Sequence, residues 1–151
     1  MQAGLFIPGC EAQISPVDNV YTHFPVEETF NIKEGRLAEE CKRLAEIFES
    51  ATRYSLILMN ESFVSTSPGE SLYLAEDIVK AVRLLGDRMV FATHLHELAA
   101  RVDKINADVE GDSKLISMVA GLERGMAKSK RTYKIVPSPP QGMSFARDIA
   151  D

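Results

Sequence analysis

The sequence predicts an α/β fold built on a parallel sheet, and three observations carry that prediction. Two short apolar runs, residues 55–60 (SLILMN) and 89–93 (MVFAT), both lead into polar residues, Asn60-Glu61 and His94. The segments beside them repeat apolar residues at three- and four-residue spacing, the period of an amphipathic helix. Helix, strand, helix, strand and helix then follow in succession, the order expected of parallel strands joined by crossover helices.

The elements follow in order. Residues 4–8 (GLFIP) read as a short buried strand, followed by a turn-rich stretch through Gly9 and Pro16. Residues 17–24 (VDNVYTHF) read as a second strand, which Pro25 closes because proline cannot donate to a ladder. Residues 33–52 give the clearest helix, with an apolar stripe of Leu37, Cys41, Leu44, Ala45, Phe48 and Ala51 or Thr52. Glu34, Glu39 and Glu40 lie toward its positive end, where the helix dipole favours them. The unbroken apolar run at 55–60 reads as a strand covered on both faces. Residues 65–69 (STSPG) are a loop, and 70–85 a second helix that Gly86 is placed to stop. The run at 89–93 repeats the buried-strand pattern, and a short helix over 96–102 follows. Residues 114–122 and 131–136 read as a hairpin around the polar connection 123–130. PSPPQG, 137–142, is a rigid loop, and 144–151 starts a helix with Ser144 as cap.

Composition narrows the function. A chain of 151 residues suits one domain with a sizeable core. Apolar residues at 45% and charged residues at 26% argue against disorder. With 17 basic and 22 acidic residues the net charge is −5, whereas a self-sufficient DNA-binding module is normally basic, so any DNA contact is expected from another segment or subunit. Two cysteines, Cys10 and Cys41, are too few for a disulfide framework and read as packed thiols in a reduced, cytoplasmic compartment. No apolar run reaches the ~20 residues of a membrane helix, and the N-terminus lacks the basic region of a signal peptide.

In open α/β sheets function collects at the carboxyl ends of the strands. Four apolar residues followed by Asn60 and Glu61 form a Walker B pattern: the first polar residue holds a magnesium ion through water, and the second orients a water toward a γ-phosphate. The bland reading is a strand whose last polar residues cap the next loop. The surrounding string decides between them. LILMNESFVSTSPGESLYLAEDIV, followed after a helix by MVFATHLHEL, resembles the ATPase domain of the MutS DNA mismatch-repair family. The matches are Asn60-Glu61, the Ser/Thr-rich loop Ser65-Thr66-Ser67, and Thr93-His94. They are joined by GLFIP and VDNVYTHF upstream and KIVPSPPQGMSFARDIA downstream, so the resemblance covers essentially the whole chain. The wording NES…STSPGE is closer to a divergent MutS-related branch than to the main repair protein.

The resemblance implies a P-loop NTPase of the ABC type, a sheet flanked by helices with a C-terminal β-hairpin. It implies ATP and Mg2+ as ligands, and a head-to-tail homodimer whose composite sites couple ATP hydrolysis to double-stranded DNA held by other domains. In that frame Glu61 is the water-orienting base, Asn60 the magnesium-side residue and His94 the γ-phosphate sensor. Ser65, Thr66 and Ser67 signal between sites, and Gly35 and Arg36 act in trans as the signature segment.

Three departures qualify this. GxxxxGK[ST] occurs nowhere, the nearest string being GLERGMAKS at 121–129. In the family the phosphate loop lies just upstream of the segment that opens this chain. Residues 1–151 are therefore expected to be the C-terminal part of a MutS-like ATPase domain whose phosphate-loop strand is absent. Alone they are expected to be inactive and to self-associate through the edge of MVFAT. Asn60 replaces an aspartate and lacks the charge that tightens a hard-cation site. Gly35 stands near the place of a signature serine, so a hydroxyl is lost, although a helix N-terminus still offers N–H groups to phosphate.

Rival readings of the same residues are weaker. His94-Leu95-His96 suits an HxH metal hydrolase, but such a site needs further ligands and the remaining histidine is His23. His96-Glu97 does not continue to a second histidine, since position 100 is Ala100, so the zinc-protease pattern fails and His96 reads as a helix-start or partly buried structural residue. Glu39-Glu40 reads as a solvated helix face, and Lys128, Lys130 and Arg131 as a solvated turn, with a DNA or inter-domain contact as the alternative. The alternative function is non-enzymatic: a nucleotide-responsive switch or a structural dimerisation domain that does not hydrolyse ATP.

Overall fold

The computed structural model describes residues 6–7, 9–25, 35–124 and 129–140. Three strands, β1 (Val20–His23), β2 (Leu56–Asn60) and β3 (Arg88–Ala92), form a parallel sheet in that spatial order. Val20 lies beside Leu56, and Leu56 beside Arg88. α1 (Arg36–Ser50) connects β1 to β2, and α2 (Pro68–Leu85) connects β2 to β3. Strands added in one direction by crossovers of one hand put both helices on the same face of the sheet. The core has that form. Leu44 and Ile47 of α1 and Ala75 and Val79 of α2 pack with Ile57 and Met59 of β2. Leu98 of α3 (His96–Ala100) and Ile105 of α4 (Val102–Asp108) complete the same cluster. β4 (Met118–Arg124) and β5 (Ser129–Pro137) form a separate antiparallel pair, with a register shift between Ala120 and Leu122.

Local chemistry explains where α2 begins and ends. Ser67 and Glu70 form a capping box: the Ser67 hydroxyl accepts from the Glu70 N–H while the Glu70 carboxylate reaches back to the Ser67 N–H. Pro68 occupies the first turn, where its missing N–H costs nothing, so the helix starts ahead of the predicted residue 70. Gly86, at φ 76°, closes it in the left-handed conformation that glycine adopts without penalty.

The parallel sheet, its crossover helices and the hairpin agree with the sequence reading, and several finer expectations do not. Residues 6 and 7 lie in no strand and Phe6 is fully exposed, while 4, 5 and 8 fall outside the described residues. The strand predicted over 17–24 is confined to Val20–His23. Among the described residues β2 and β3 are covered on one face, not two. Ile57 and Met59 are buried, but Val20 and Val90, on the opposite face, are 54% and 58% exposed. The helix predicted over 96–102 breaks at Arg101 and resumes to Asp108. The predicted C-terminal helix over 144–151 lies outside the described residues, as do residues 33 and 34 of the first helix, 141 and 142 of the proline loop, and Lys128.

The apolar stripe of α1 is also rotated from its predicted course. Cys41 and Ala45 are exposed; the inward series is Leu37, Glu40, Leu44, Ile47 and Phe48. Cys10 is exposed as well, so neither cysteine is a packed thiol. No described helix is long and apolar enough to cross a membrane.

Candidate active site

β2 and β3 are adjacent and parallel, so their carboxyl ends open side by side. Asn60, the last residue of β2 and exposed, pairs with Ala92. The Glu61 N–H then donates to the Ala92 carbonyl at 2.9 Å, which extends the ladder by one bond into the turn. Here the backbone leaves the extended region: Glu61 has φ 47° and Phe63 φ 67°. Two residues with side chains in the left-handed region, one residue apart, amount to a strained turn, each costing about 1–3 kcal/mol. The turn aims the Glu61 carboxylate at the segment after β3, where it accepts a hydrogen bond from Nδ1 of His94. Both groups reach solvent, with the His94 side chain 68% and the Glu61 side chain 36% exposed.

The strain is held by a buried polar network. His23, the last residue of β1, is 2% exposed, and its Nδ1 lies 2.7 Å from the Ser62 hydroxyl. Its Nε2 lies 3.3 Å from the Glu40 carbonyl oxygen. A carbonyl only accepts, so Nε2 carries the proton and Nδ1 accepts from Ser62. Burial, aided by the nearby Arg43 charge, pushes the His23 pKa below its ordinary value, which keeps the ring neutral in this tautomer. From α1, the Glu40 carboxylate accepts the Phe63 N–H at 2.8 Å and the Ser65 hydroxyl at 3.3 Å. From α2, the buried Ser71 hydroxyl donates to the Phe63 carbonyl at 2.6 Å. β1, α1 and α2 therefore all hold the turn, α1 at two points.

The sequence-predicted residues divide into three groups. Glu61 and His94 meet directly. Ser65 joins the Glu40 carboxylate, whereas Thr66 and Ser67 serve the start of α2 through Glu70. Those hydroxyls hold the Glu70 carboxyl below the usual range, Thr66 first and Ser67 second. Gly35 and Arg36 stand at the N-terminus of α1, where Gly35 is the N-cap without a side-chain cap bond. A Cβ on Gly35 would meet nothing within 4 Å, so the position has room for a hydroxyl-bearing side chain. Beside the Glu61–His94 pair a cleft of about 480 Å³ runs between the turn and α3, lined by Phe63, Thr66, Leu72, His94, Leu95 and His96.

One expectation is corrected here. Glu40 is not part of a solvated face. It is half-buried and binds the turn, because the tight turn after β2 leaves the Phe63 N–H pointing at α1. The HxH metal reading gains no support, since among the described residues no group of three or more His, Cys, Asp or Glu side chains is arranged around a metal position. His96 is exposed and begins α3, as expected for a helix-start residue. Sequence reasoning missed His23, Ser62 and Glu40 as a set. The available signal was a histidine at the end of a strand facing the same sheet edge as Glu61.

Comparison with known proteins supplies the lineage. The family model described as MutS domain V matches residues 1–138. Endonuclease MutS2 of Staphylococcus epidermidis is 33% identical over 154 residues, covering 99% of this chain and 18% of the relative. The DNA mismatch repair protein MutS of Chlorobium limicola is 35% identical over 152 residues, covering 96% of this chain and 17% of the relative. That of Chlorobaculum tepidum is 28% identical over 158 residues, covering 98% and 18%. The chain thus spans 17–18% of the length of these relatives. It belongs to the MutS domain V family.

Proposed function

We propose, from membership of the MutS domain V family, that residues 1–151 form the C-terminal part of a P-loop ATPase domain whose work is ATP-dependent DNA handling in mismatch repair or a related transaction. The observation that carries this reading is the direct bond between Glu61 and His94 at the ends of neighbouring parallel strands. A carboxylate that orients water, beside an imidazole facing the same opening, is an arrangement suited to attack on a γ-phosphate. In this reading Glu61 orients the water, and His94 meets charge that builds in the transition state. Asn60 and Glu61 offer hard oxygen donors, the set a magnesium ion takes, with Asn60 acting through water and without a charge of its own. An ion held there would supply positive charge against the phosphates. Ser65, Thr66 and Ser67 link one site to the other, and Gly35 and Arg36 approach the nucleotide of a second subunit in a cytoplasmic homodimer. Double-stranded DNA is held by other domains of the polypeptide.

The outer edge of β3 supports the placement of the missing strand. Among the described residues β3 is paired on one side only. A phosphate-loop strand would fit against its free edge, and its helix against the open face that carries Val20 and Val90. Without it the isolated chain is expected to be inactive and to pair with a second copy.

The test is ATP turnover by the full-length polypeptide. Magnesium-dependent hydrolysis that Glu61→Gln abolishes while ATP stays bound supports the reading. A second reading has its own observation: uncharged Asn60 at the magnesium position and a bare Gly35 fit a switch or dimerisation domain that does not hydrolyse ATP. Nucleotide binding without turnover in the wild-type protein would select it.

A further inference from the structure

Two groups grip the strained turn after β2 without reaching the solvent-facing pair. His23 donates from Nε2 to the Glu40 carbonyl and accepts at Nδ1 from Ser62, the residue after Glu61. The Glu40 carboxylate accepts from Phe63, one residue further along, and from Ser65. Glu61 and Phe63, the two left-handed residues, therefore flank or coincide with the gripped positions. A residue bearing a Cβ leaves the left-handed region unless its surroundings over-determine it. These bonds, which trace back to β1 and α1, supply that over-determination together with the Ser71 hydroxyl of α2 on the Phe63 carbonyl. The His23 ring also lies near Phe63, with ring centroids 6.5 Å apart, so the grip is packed as well as bonded.

We propose that His23 and Glu40 are positioning residues that hold Glu61 against His94, and that through them the placement of α1 sets the geometry of the turn. The inference rests on the reading of Glu61 as the water-orienting base. Its consequence is directional. Gly35 and Arg36 begin the helix that carries Glu40, so whatever engages the start of α1 pulls on the same turn that aims Glu61. If α1 shifts, the Phe63 N–H loses the Glu40 carboxylate and the His23 Nε2–H loses the Glu40 carbonyl that orients the ring toward Ser62, the turn relaxes toward an ordinary backbone region, and the carboxylate leaves the imidazole.

The experiment separates the clamp from the function. In the full-length polypeptide, Ser62→Ala removes one hydroxyl and is expected to lower kcat about tenfold with KM within about twofold, because a misplaced catalytic group weakens the reaction more than binding. His23→Asn keeps an acceptor at the place of Nδ1 and should recover most of the kcat that His23→Leu loses. Wild-type kcat in Ser62→Ala and His23→Leu, with Glu61→Gln still abolishing turnover, overturns the clamp and leaves the function standing. Unchanged turnover in Glu61→Gln overturns the function instead. The clamp is then read in the 151-residue chain by nuclear magnetic resonance. The expected results are ring-nitrogen shifts of a neutral Nε2–H tautomer for His23, and a displacement of the His94 ring signals on Ser62→Ala. Static His94 signals overturn it.

Discussion

The two ends of the parallel sheet use similar residue types to different effect. At the amino ends, the Asp18 carboxylate gathers the Thr52 hydroxyl, the Ser55 hydroxyl at 2.8 Å and the Asn19 N–H at 2.6 Å. Arg88 reaches the carbonyls of Pro16 and Tyr54, and buried Arg83 reaches those of Asn106, Val109 and Gly111. These bonds close loops onto strands, and the described backbone there keeps its non-glycine residues out of the left-handed region. At the carboxyl ends, His23, Ser62, Glu40 and Ser71 hold a turn with two left-handed residues, and the product is an exposed acid–imidazole pair. Polar residues alone do not distinguish the ends. What distinguishes them is whether the bonds satisfy the chain or maintain strain beneath a solvent-facing pair.

The largest expected effect tests the carboxyl end. Glu61→Gln in the full-length polypeptide should lower ATP turnover by about 10²–10⁴-fold, the range of a general base. The amide still accepts from His94, so the thermal midpoint should hardly move. A large loss of stability with modest loss of turnover would make the turn a structural device like the amino end.

The converse test is Arg83→Met. Arg83 is 4% exposed and its guanidinium bonds fix the chain after α4. The substitution leaves buried acceptors unpaired, at about 1–3 kcal/mol each, so unfolding free energy should fall by about 2–3 kcal/mol. Nucleotide turnover per folded molecule should be unchanged. Chemical denaturation and an assay corrected for the folded fraction read both quantities.

How much of this was legible in the sequence differs between the ends. The strand runs SLILMN and MVFAT announced β2 and β3 because unbroken apolarity at strand length has few other uses. Gly86 announced a stop by local chemistry that needs no tertiary partner, whereas the cap at Ser67, with Glu70 three residues on, was passed over when the helix was read from residue 70. Glu61 and His94 were legible as a pair only through the resemblance, since the spacing between them says nothing of contact until the strands are known to be neighbours. Glu40 was illegible. Its partners, Phe63 and Ser65, lie in another segment, and its apparent place on a charged face followed from taking Cys41 into the apolar stripe. The left-handed φ of Glu61 and Phe63 was illegible too, because no glycine marks the turn. The open face of β2 and β3 contradicted a sound expectation, for such strands are normally covered on both sides.

A smaller effect sharpens the amino end. Asp87 is 6% exposed, its Oδ2 has no hydrogen-bond partner among the described residues, and burial first, then the Asp18 charge, raises its pKa. A carboxyl whose pKa is raised on folding favours the folded state most below its unfolded value and loses that advantage as pH rises. Asp87→Asn should therefore stabilise the chain at neutral pH, by less than about 1 kcal/mol, and the gain should vanish near pH 3.8. Destabilisation at neutral pH would mean that the carboxylate has a partner worth more than its burial costs.

The gentlest test sets the two ends against each other by pH. The folded pKa of His23 is lowered, chiefly by burial, so between that value and 6.5 the unfolded chain binds more protons than the folded one. Its contribution is complete above pH 6.5 and declines as pH falls below it. Asp18, held below 3.8 by the Thr52 and Ser55 hydroxyls, contributes stability that is complete above 3.8 and is lost only in stronger acid. Glu70 and Glu76, both lowered from 4.5, likewise begin to fail only below that value. From pH 7 down to about 5, then, the carboxyl end should weaken while the amino end holds. Urea midpoints across this interval should fall for the wild-type chain and stay level for His23→Asn, which has no proton to take up. Amide protection factors, which divide out the intrinsic base-catalysed rate, should fall at Ser62 and Phe63 over the same interval while that at Ser55 does not. Equal loss of protection at both ends would mean that the molecule loosens as one unit and that the carboxyl-end network carries no separate load of strain.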